Sequence, residues 1–144
     1  MKSPVIAIVS DHAGFELKSL LFVYLNNFAE NVVDLGTDSQ DSVDYNDFSD
    51  SLAKYILSGS ADFGIAICGS GIGMSIALNR HKGIRAALCS EGLSASLARK
   101  HNDANILCLG ARIIGIETAR DCIKNFFDSV FEGGRHSRRM EKLG

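Results

Sequence analysis

The stretch Phe63-Gly64-Ile65-Ala66-Ile67-Cys68-Gly69-Ser70-Gly71-Ile72-Gly73 decides the fold. Its first six residues show no polar alternation, the pattern of a strand covered on both faces. Three of the chain's 14 glycines then fall within five positions, before an amphipathic stretch. A buried strand, a glycine loop and a helix are therefore expected in that order. Upstream, Val5–Val9 reads as a strand and Glu16–Phe28 as a helix, with Leu17, Leu20, Leu21, Val23, Tyr24 and Phe28 facing inward. Val32–Gly36 reads as a short strand and Tyr45–Leu57 as a helix. Downstream come a helix over Gly73–Asn79, a strand over Ile84–Cys89 and a helix over Leu93–His101. A strand at Ile106–Leu109 and a helix at Glu117–Phe131 follow. Five strands, each followed by a helical stretch, predict a single doubly wound α/β domain. It is a five-stranded parallel sheet with helices on both faces, a Rossmann-like αβα sandwich over residues 1–144.

Composition narrows the class. The chain has 144 residues, 46% hydrophobic and 22% charged, which is too apolar for a disordered chain and long enough for one core. No apolar run approaches the roughly 20 residues of a membrane-spanning helix. The run Val5–Val9 is too short for a signal peptide, so a soluble, cytoplasmic protein is expected. Charge is unevenly divided: of 15 basic and 17 acidic residues, four basic and one acidic lie in residues 135–144. A basic tail on an acidic body can solvate the terminus, hold an anion or meet an acidic partner. It is too short, on too acidic a body, to suggest nucleic-acid binding.

Several patterns invite metal chemistry and lack its spacing. Cys68, Cys89, Cys108 and Cys122 form no CxxC or CxxH motif, and no metal site is expected. Asp38, Asp41, Asp44, Asp47 and Asp50 recur every third residue, but without the glycine turn and terminal Glu of a calcium loop. They read as a solvated approach to a helix N-terminus.

Ligands of doubly wound sheets bind beyond the carboxyl ends of the strands, so the residues there carry the functional reading. They are Ser10-Asp11-His12, Gly36-Thr37-Asp38, Cys68 to Gly73, Ser90-Glu91-Gly92 and Gly110-Ala111-Arg112. Amides of a glycine loop at a helix start can cradle negative charge. The P-loop reading fails because Met74-Ser75 stands where Lys-Ser/Thr is required. Cys68, at a helix N-terminus, can serve as a base or nucleophile, or pack as a buried strand-end cysteine. His12 and His101 are read as lying at ligand-side termini, where imidazole moves protons near neutral pH. His81 and His136 look less committed. Arg112, Arg135 and Arg139 can form a phosphate clamp, with Arg138 pointing elsewhere.

Seven motifs occur in an order that resembles a known family. They are Ser10 to Phe15, Asp44-Tyr45, Ile67 to Gly73, Gly83 to Ala86, His101 to Asn105, Gly110 to Arg112 and Glu132 to His136. The chain resembles the type B ribose-5-phosphate isomerases, grouped with sugar-phosphate isomerases that include galactose-6-phosphate isomerase subunits. The resemblance implies interconversion of ribose 5-phosphate and ribulose 5-phosphate without metal or organic cofactor. It assigns Cys68 as the base that moves a proton between C2 and C1 through a cis-enediolate. Some members carry serine at that position and glutamate where this chain has Met74, so Cys68 with Met74 marks the cysteine-base branch. Gly69, Ser70, Gly71, Ile72 and Gly73 match the anion-hole loop, and Ser70 also offers a hydroxyl to the sugar. His101 matches the acid that opens the furanose ring. Asp11, Tyr45 and Asn102 match sugar contacts, with Asp44 a weaker candidate; His12, Arg112, Arg135 and Arg139 match the phosphate set. Family pockets are shared between subunits, which implies a homodimer or dimer of dimers and a role for residues 133–144 at a phosphate site. The alternatives are isomerisation of a hexose 6-phosphate, such as allose or galactose 6-phosphate, and a non-catalytic nucleotide-binding module.

Overall fold

The computed structural model describes residues 3–144. Met1 and Lys2, at the start of the segment read as too short for a signal peptide, lie outside the described residues. The strands are β1 (Val5–Ser10), β2 (Asn31–Asp34), β3 (Phe63–Cys68), β4 (Ala86–Leu88) and β5 (Ile106–Gly110). The helices are α1 (Phe15–Tyr24), α2 (Tyr45–Leu57), α3 (Ile72–Leu78), α4 (Gly92–Asn102), α5 (Ile116–Phe127) and α6 (Arg135–Leu143). All strand pairs are parallel, in the order β2-β1-β3-β5-β4. No helix is long and apolar enough to cross a membrane among the described residues.

Strand order explains which face each helix covers. The chain moves from β1 to β2 in one direction and from β2 to β3 in the other, so right-handed crossovers put α1 and α2 on opposite faces. The step from β3 to β4 keeps that second direction and sets α3 beside α2, whereas the return from β4 to β5 puts α4 with α1 and α5. The strand period of two sorts the side chains accordingly. Ile6, Ile8, Ile65, Ile67, Leu107 and Leu109 face the α1/α4/α5 layer. Ala7, Val9, Ala66, Cys68, Ile106 and Cys108 face α2 and α3. Large residues fill one face and mostly small ones the other.

Several boundaries differ from the sequence expectation. The first helix ends at Tyr24 and continues as a 3-10 turn over Leu25–Asn27, and Leu20 and Val23 face solvent at 50% and 70% exposure. Leu17, Leu21 and Leu25 are buried and Tyr24 and Phe28 pack on the same core, so the expected stripe is too wide only at Leu20 and Val23. β2 ends at Asp34, whose carboxylate takes Lys18 Nζ at 2.6 and 2.7 Å, while Leu35, Gly36 and Thr37 still exchange backbone bonds with Ile8 and Ser10. β4 has only three residues. Asn79 occupies its free edge, accepting from Ala86 N and donating to Ala86 O at 2.8 and 2.9 Å. α5 ends at Phe127, four residues before the expected Phe131. The largest difference is the tail: Arg135–Leu143 is a helix packed on α4.

Candidate active site

The switch in winding direction opens the crevice between β1 and β3 at their carboxyl ends. Asp11, Tyr45, Cys68, Gly69, Ser70, Gly73, Arg112 and Ile113 line a cavity of about 350 Å³ there. Cys68 is 5% exposed, and its Sγ accepts a hydrogen bond from the Gly71 N–H at 3.1 Å. That amide stands one residue before the start of α3, so the sulfur sits at the mouth of the glycine loop. The bond requires Gly71 to adopt φ +77°, and a Cβ there would strike Leu88 and the backbone of Leu109. The other thiols are elsewhere in the core: burial pushes Cys89 up to about 12 and Cys122 up to about 11, and raises Cys108 further.

The loop does two jobs. Gly71 N is spent on the sulfur, and Ile72 N is held by Ser70 Oγ at 3.2 Å. Within the loop, the N–H groups of Gly69, Ser70 and Gly73 have no protein acceptor among the described residues, which leaves them as donors for an oxyanion. The glycines also let side chains lie close. Arg112 passes over Gly69 and the Tyr45 ring rests on Gly73, each where a Cβ would crowd it. Asp11 is 7% exposed; its Oδ1 accepts from Ala13 and Gly14 N–H and holds the turn that leads into α1. His12 Nδ1 accepts from Val43 N at 3.2 Å, which places the proton of a neutral ring on Nε2. Met74 is fully buried beneath the loop and belongs to the core.

His101 and Asn102 are not at this edge, contrary to the sequence reading. They end α4, which runs back from the carboxyl end of β4 to the amino end of β5. Gly64 pairs with Ile106 and Cys68 with Gly110, so about 13 Å of strand separates the two edges. His101, Asn102, His136, Arg139, Met140 and Leu143 line a separate cavity of about 420 Å³. Arg135 opens α6 beside it, exposed, and Arg138 lies outside the lining. Thus Asp11, Tyr45, Cys68, Ser70 and Arg112 come together on one edge, with His12 beside them. His101, Asn102 and Arg139 come together on the other.

Sequence reasoning gives Glu132 no role of its own and reads His136 as less committed than His101. Glu132 Oε1 lies 3.8 Å from His101 Nε2 and 3.7 Å from His136 Nε2. A signal was present: Arg135, Arg138, Arg139 and Lys142 recur at i, i+3, i+4 and i+7, with His136, Met140 and Leu143 on the other side. That charge period announces a helix. His81, by contrast, pairs with Asp50 at 2.9 Å, and all five aspartates of the 38–50 series are exposed. Cavity size does not locate the chemistry. Concavities of about 600 and 660 Å³ lie around Arg80–Ala87 and around Phe63, Arg99 and Phe127, without the thiol.

A doubly wound sheet with a thiol and free amides at its switch point has the parts of an enzyme that works by proton transfer, and similarity to known proteins places the chain among the aldose–ketose isomerases. The family model described as Ribose/Galactose Isomerase matches residues 6–143. Ribose-5-phosphate isomerase B of Escherichia coli is 42% identical over 138 residues, covering 96% of this chain and 93% of that protein. A Rickettsia conorii protein that carries the provisional name of sugar phosphate isomerase is 48% identical over 143 residues, 99% of each chain. The crystal structure of a ribose 5-phosphate isomerase from Thermotoga maritima superimposes with a TM-score of 0.94 at 52% identity, covering 97% of each chain. The chain belongs to the Ribose/Galactose Isomerase family.

Proposed function

We propose that the protein interconverts D-ribose 5-phosphate and D-ribulose 5-phosphate in a site assembled from two copies of the chain. One observation carries this reading: Cys68 and the oxyanion amides stand on one edge of the sheet, and His101, Asn102 and Arg139 on the other. Each edge alone is half an isomerase. A second copy, docked so that the carboxyl edge of one meets the amino edge of the other, completes both. Exposed apolar residues supply a surface for that contact. Ile72 and Ile76 of α3, Leu88 of β4, Leu93 and Leu97 of α4 and Ile113 after β5 are 37–70% exposed. They lie on adjacent elements, since the start of α3 abuts Leu88. An apolar patch of this kind marks an interaction site.

In the assembled site His101 donates a proton to the ring oxygen as the C1–O bond breaks, and the hydroxyl on C1 loses its proton to become the aldehyde. The Cys68 thiolate then takes the proton from C2, and the electron pair moves onto O1 as the enediolate. Ser70 and Gly73 N–H groups stabilise that charge, and one such donor is typically worth about 3–4 kcal/mol. The thiol returns its proton to C1 while the O2 proton passes to O1, leaving the ketose. Asp11, Tyr45 and Asn102 orient the hydroxyls. His12, Arg112, Arg135 and Arg139 balance a phosphate of about −1.5 to −2 charges.

The decisive experiment mixes two inactive variants. Cys68→Ala and His101→Asn, unfolded together and refolded at equal concentrations, should recover about a quarter of wild-type turnover, since half of the dimers are mixed and each holds one intact site. A mixture no more active than its parents overturns the shared site. Absence of ribose 5-phosphate turnover by the wild type overturns the substrate. The family description also names galactose, so a hexose 6-phosphate belongs in the same assay, with the pentose expected to have the higher kcat/KM.

A further inference from the structure

The ring-opening step proposed above uses His101, yet His101 does not stand alone. Its imidazole stacks on that of His136, with centroids 4.4 Å apart and planes 15° from parallel. Glu132 Oε1 is nearly equidistant from the two Nε2 atoms, at 3.8 and 3.7 Å. His136 is 6% exposed, and its Nε2 has no hydrogen-bond partner among the described residues. The backbone builds this arrangement deliberately. Glu132 N donates to Lys100 O at 3.0 Å, tying the acidic residue to the last turn of α4. Gly133 and Gly134, with φ +65° and +55°, then reverse the chain so that α6 brings His136 against His101.

Two imidazolium ions at 4.4 Å repel strongly, so no more than one ring of the stack takes up the additional, charging proton. The surroundings decide which ring carries it. Burial disfavours a charged His136, and Arg135, His101 and Arg139 act in the same direction, against a smaller opposing pull from Glu132. His101 is half-open at 36% side-chain exposure and keeps Glu132 as its counter-ion. Arg99, also on α4, is turned away onto Asp103 Oδ1 and the Ala104 carbonyl at 2.8 and 2.7 Å, and Arg85 also pairs with Asp103. Lys100 shares the last turn of α4 and presents its carbonyl to Glu132.

We infer that Glu132 and His136 are positioning residues that keep the proton of the pair on His101, where ring opening consumes it. Glu132 supplies the counter-charge, and His136 is a neutral platform that fixes the plane of the His101 ring. The same stack rules against chelation by this trio as it stands, although the donor atoms lie within 4.8 Å of one another. An imidazole bonds a dication in its own ring plane, and an ion in the plane of one stacked ring lies well off the plane of the other.

This inference rests on the isomerase reading, and ribulose 5-phosphate separates the two. Its O5 is phosphorylated, so it cannot close to a furanose. Exchange of its C1 proton with D₂O therefore needs enolisation by Cys68 but no ring opening, whereas turnover of ribose 5-phosphate needs both. For Glu132→Gln, ribose 5-phosphate kcat should fall at least about tenfold, with C1 exchange kept within about twofold. Glu132→Asp should restore part of the loss. His136→Phe should retain more ring-opening activity than His136→Ala, since only the former keeps a platform. Equal loss of exchange and turnover in Glu132→Gln, or no recovery in Glu132→Asp, overturns the positioning role. Exchange that survives Cys68→Ala overturns Cys68 as the base, and a wild type without exchange or turnover overturns the isomerase reading instead.

Discussion

The two edges of this sheet are built from different materials. The carboxyl edge is made of backbone: strands in register, a left-handed Gly71, and amides aimed at Cys68 and into the cavity. Its key groups, Asp11 and Cys68, are buried. The amino edge is made of side chains on the ends of α4 and α6, held by a ring stack and carboxylate contacts. Stabilising a transient enediolate demands fixed dipoles in a protected setting, and backbone supplies them at no reorganisation cost. In the proposed reaction, ring opening and part of the phosphate capture fall to charged side chains at the amino edge. On that reading the difference in building material matches a difference in chemical task.

The harshest way to break this comparison is to remove the thiol. Cys68→Ala should lower kcat by about 10³-fold or more while KM changes by no more than about threefold, because the base acts in the transition state and adds little to ground-state binding. Steady-state kinetics with ribose 5-phosphate gives both constants. A large rise in KM with kcat preserved would mean that Cys68 binds rather than reacts. Arg139→Ala is the matching test at the other edge, with a smaller effect and the opposite signature. KM for the phosphosugar should rise about tenfold with kcat nearly unchanged, as for an interaction present in both substrate and transition state. Should Arg139→Ala lower kcat as far as Cys68→Ala does, the assignment of Arg139 to phosphate capture collapses.

The same contrast explains how far the sequence could be read. Strand-end residues are legible because fold class alone tells where strand termini point, and Asp11, Cys68 and Arg112 were placed correctly by that rule. His101 resembles them in its local context, His101-Asn102-Asp103, but it ends a helix. Helices in this topology run antiparallel to the strands, so a helix end lies at the opposite edge from a strand end. Polar context says nothing about that. α6 was missed for a second reason: apolar periodicity is weak where only Met140 and Leu143 mark the inner side, and the stronger signal lay in the spacing of its charges. The internal bond from Gly71 N to Cys68 Sγ could not be read at all, because it depends on one backbone angle.

The gentlest test concerns stability rather than turnover, and it sharpens the account of the amino edge. The His136 imidazole is held below its ordinary value, first by burial and then by Arg135 and His101. An unfolded chain takes up a proton there near the ordinary value of about 6.5, whereas the folded chain resists until the pH is lower. Between those points the unfolded state binds more protons, so this group's contribution is complete above about pH 6.5 and is lost as the pH falls. Glu91 acts in the same direction, its carboxylate lowered by the Ser94 hydroxyl and N–H, but it begins to titrate from 4.5 downward and stays outside the interval. The melting temperature of wild-type protein should therefore drop more between pH 7.5 and 5.5 than that of His136→Gln, with the melts followed by circular dichroism in matched ionic strength. An equal or steeper drop in the variant would show that the buried ring is not the neutral member of the pair, and with it the proton would have to be assigned to His136 rather than His101.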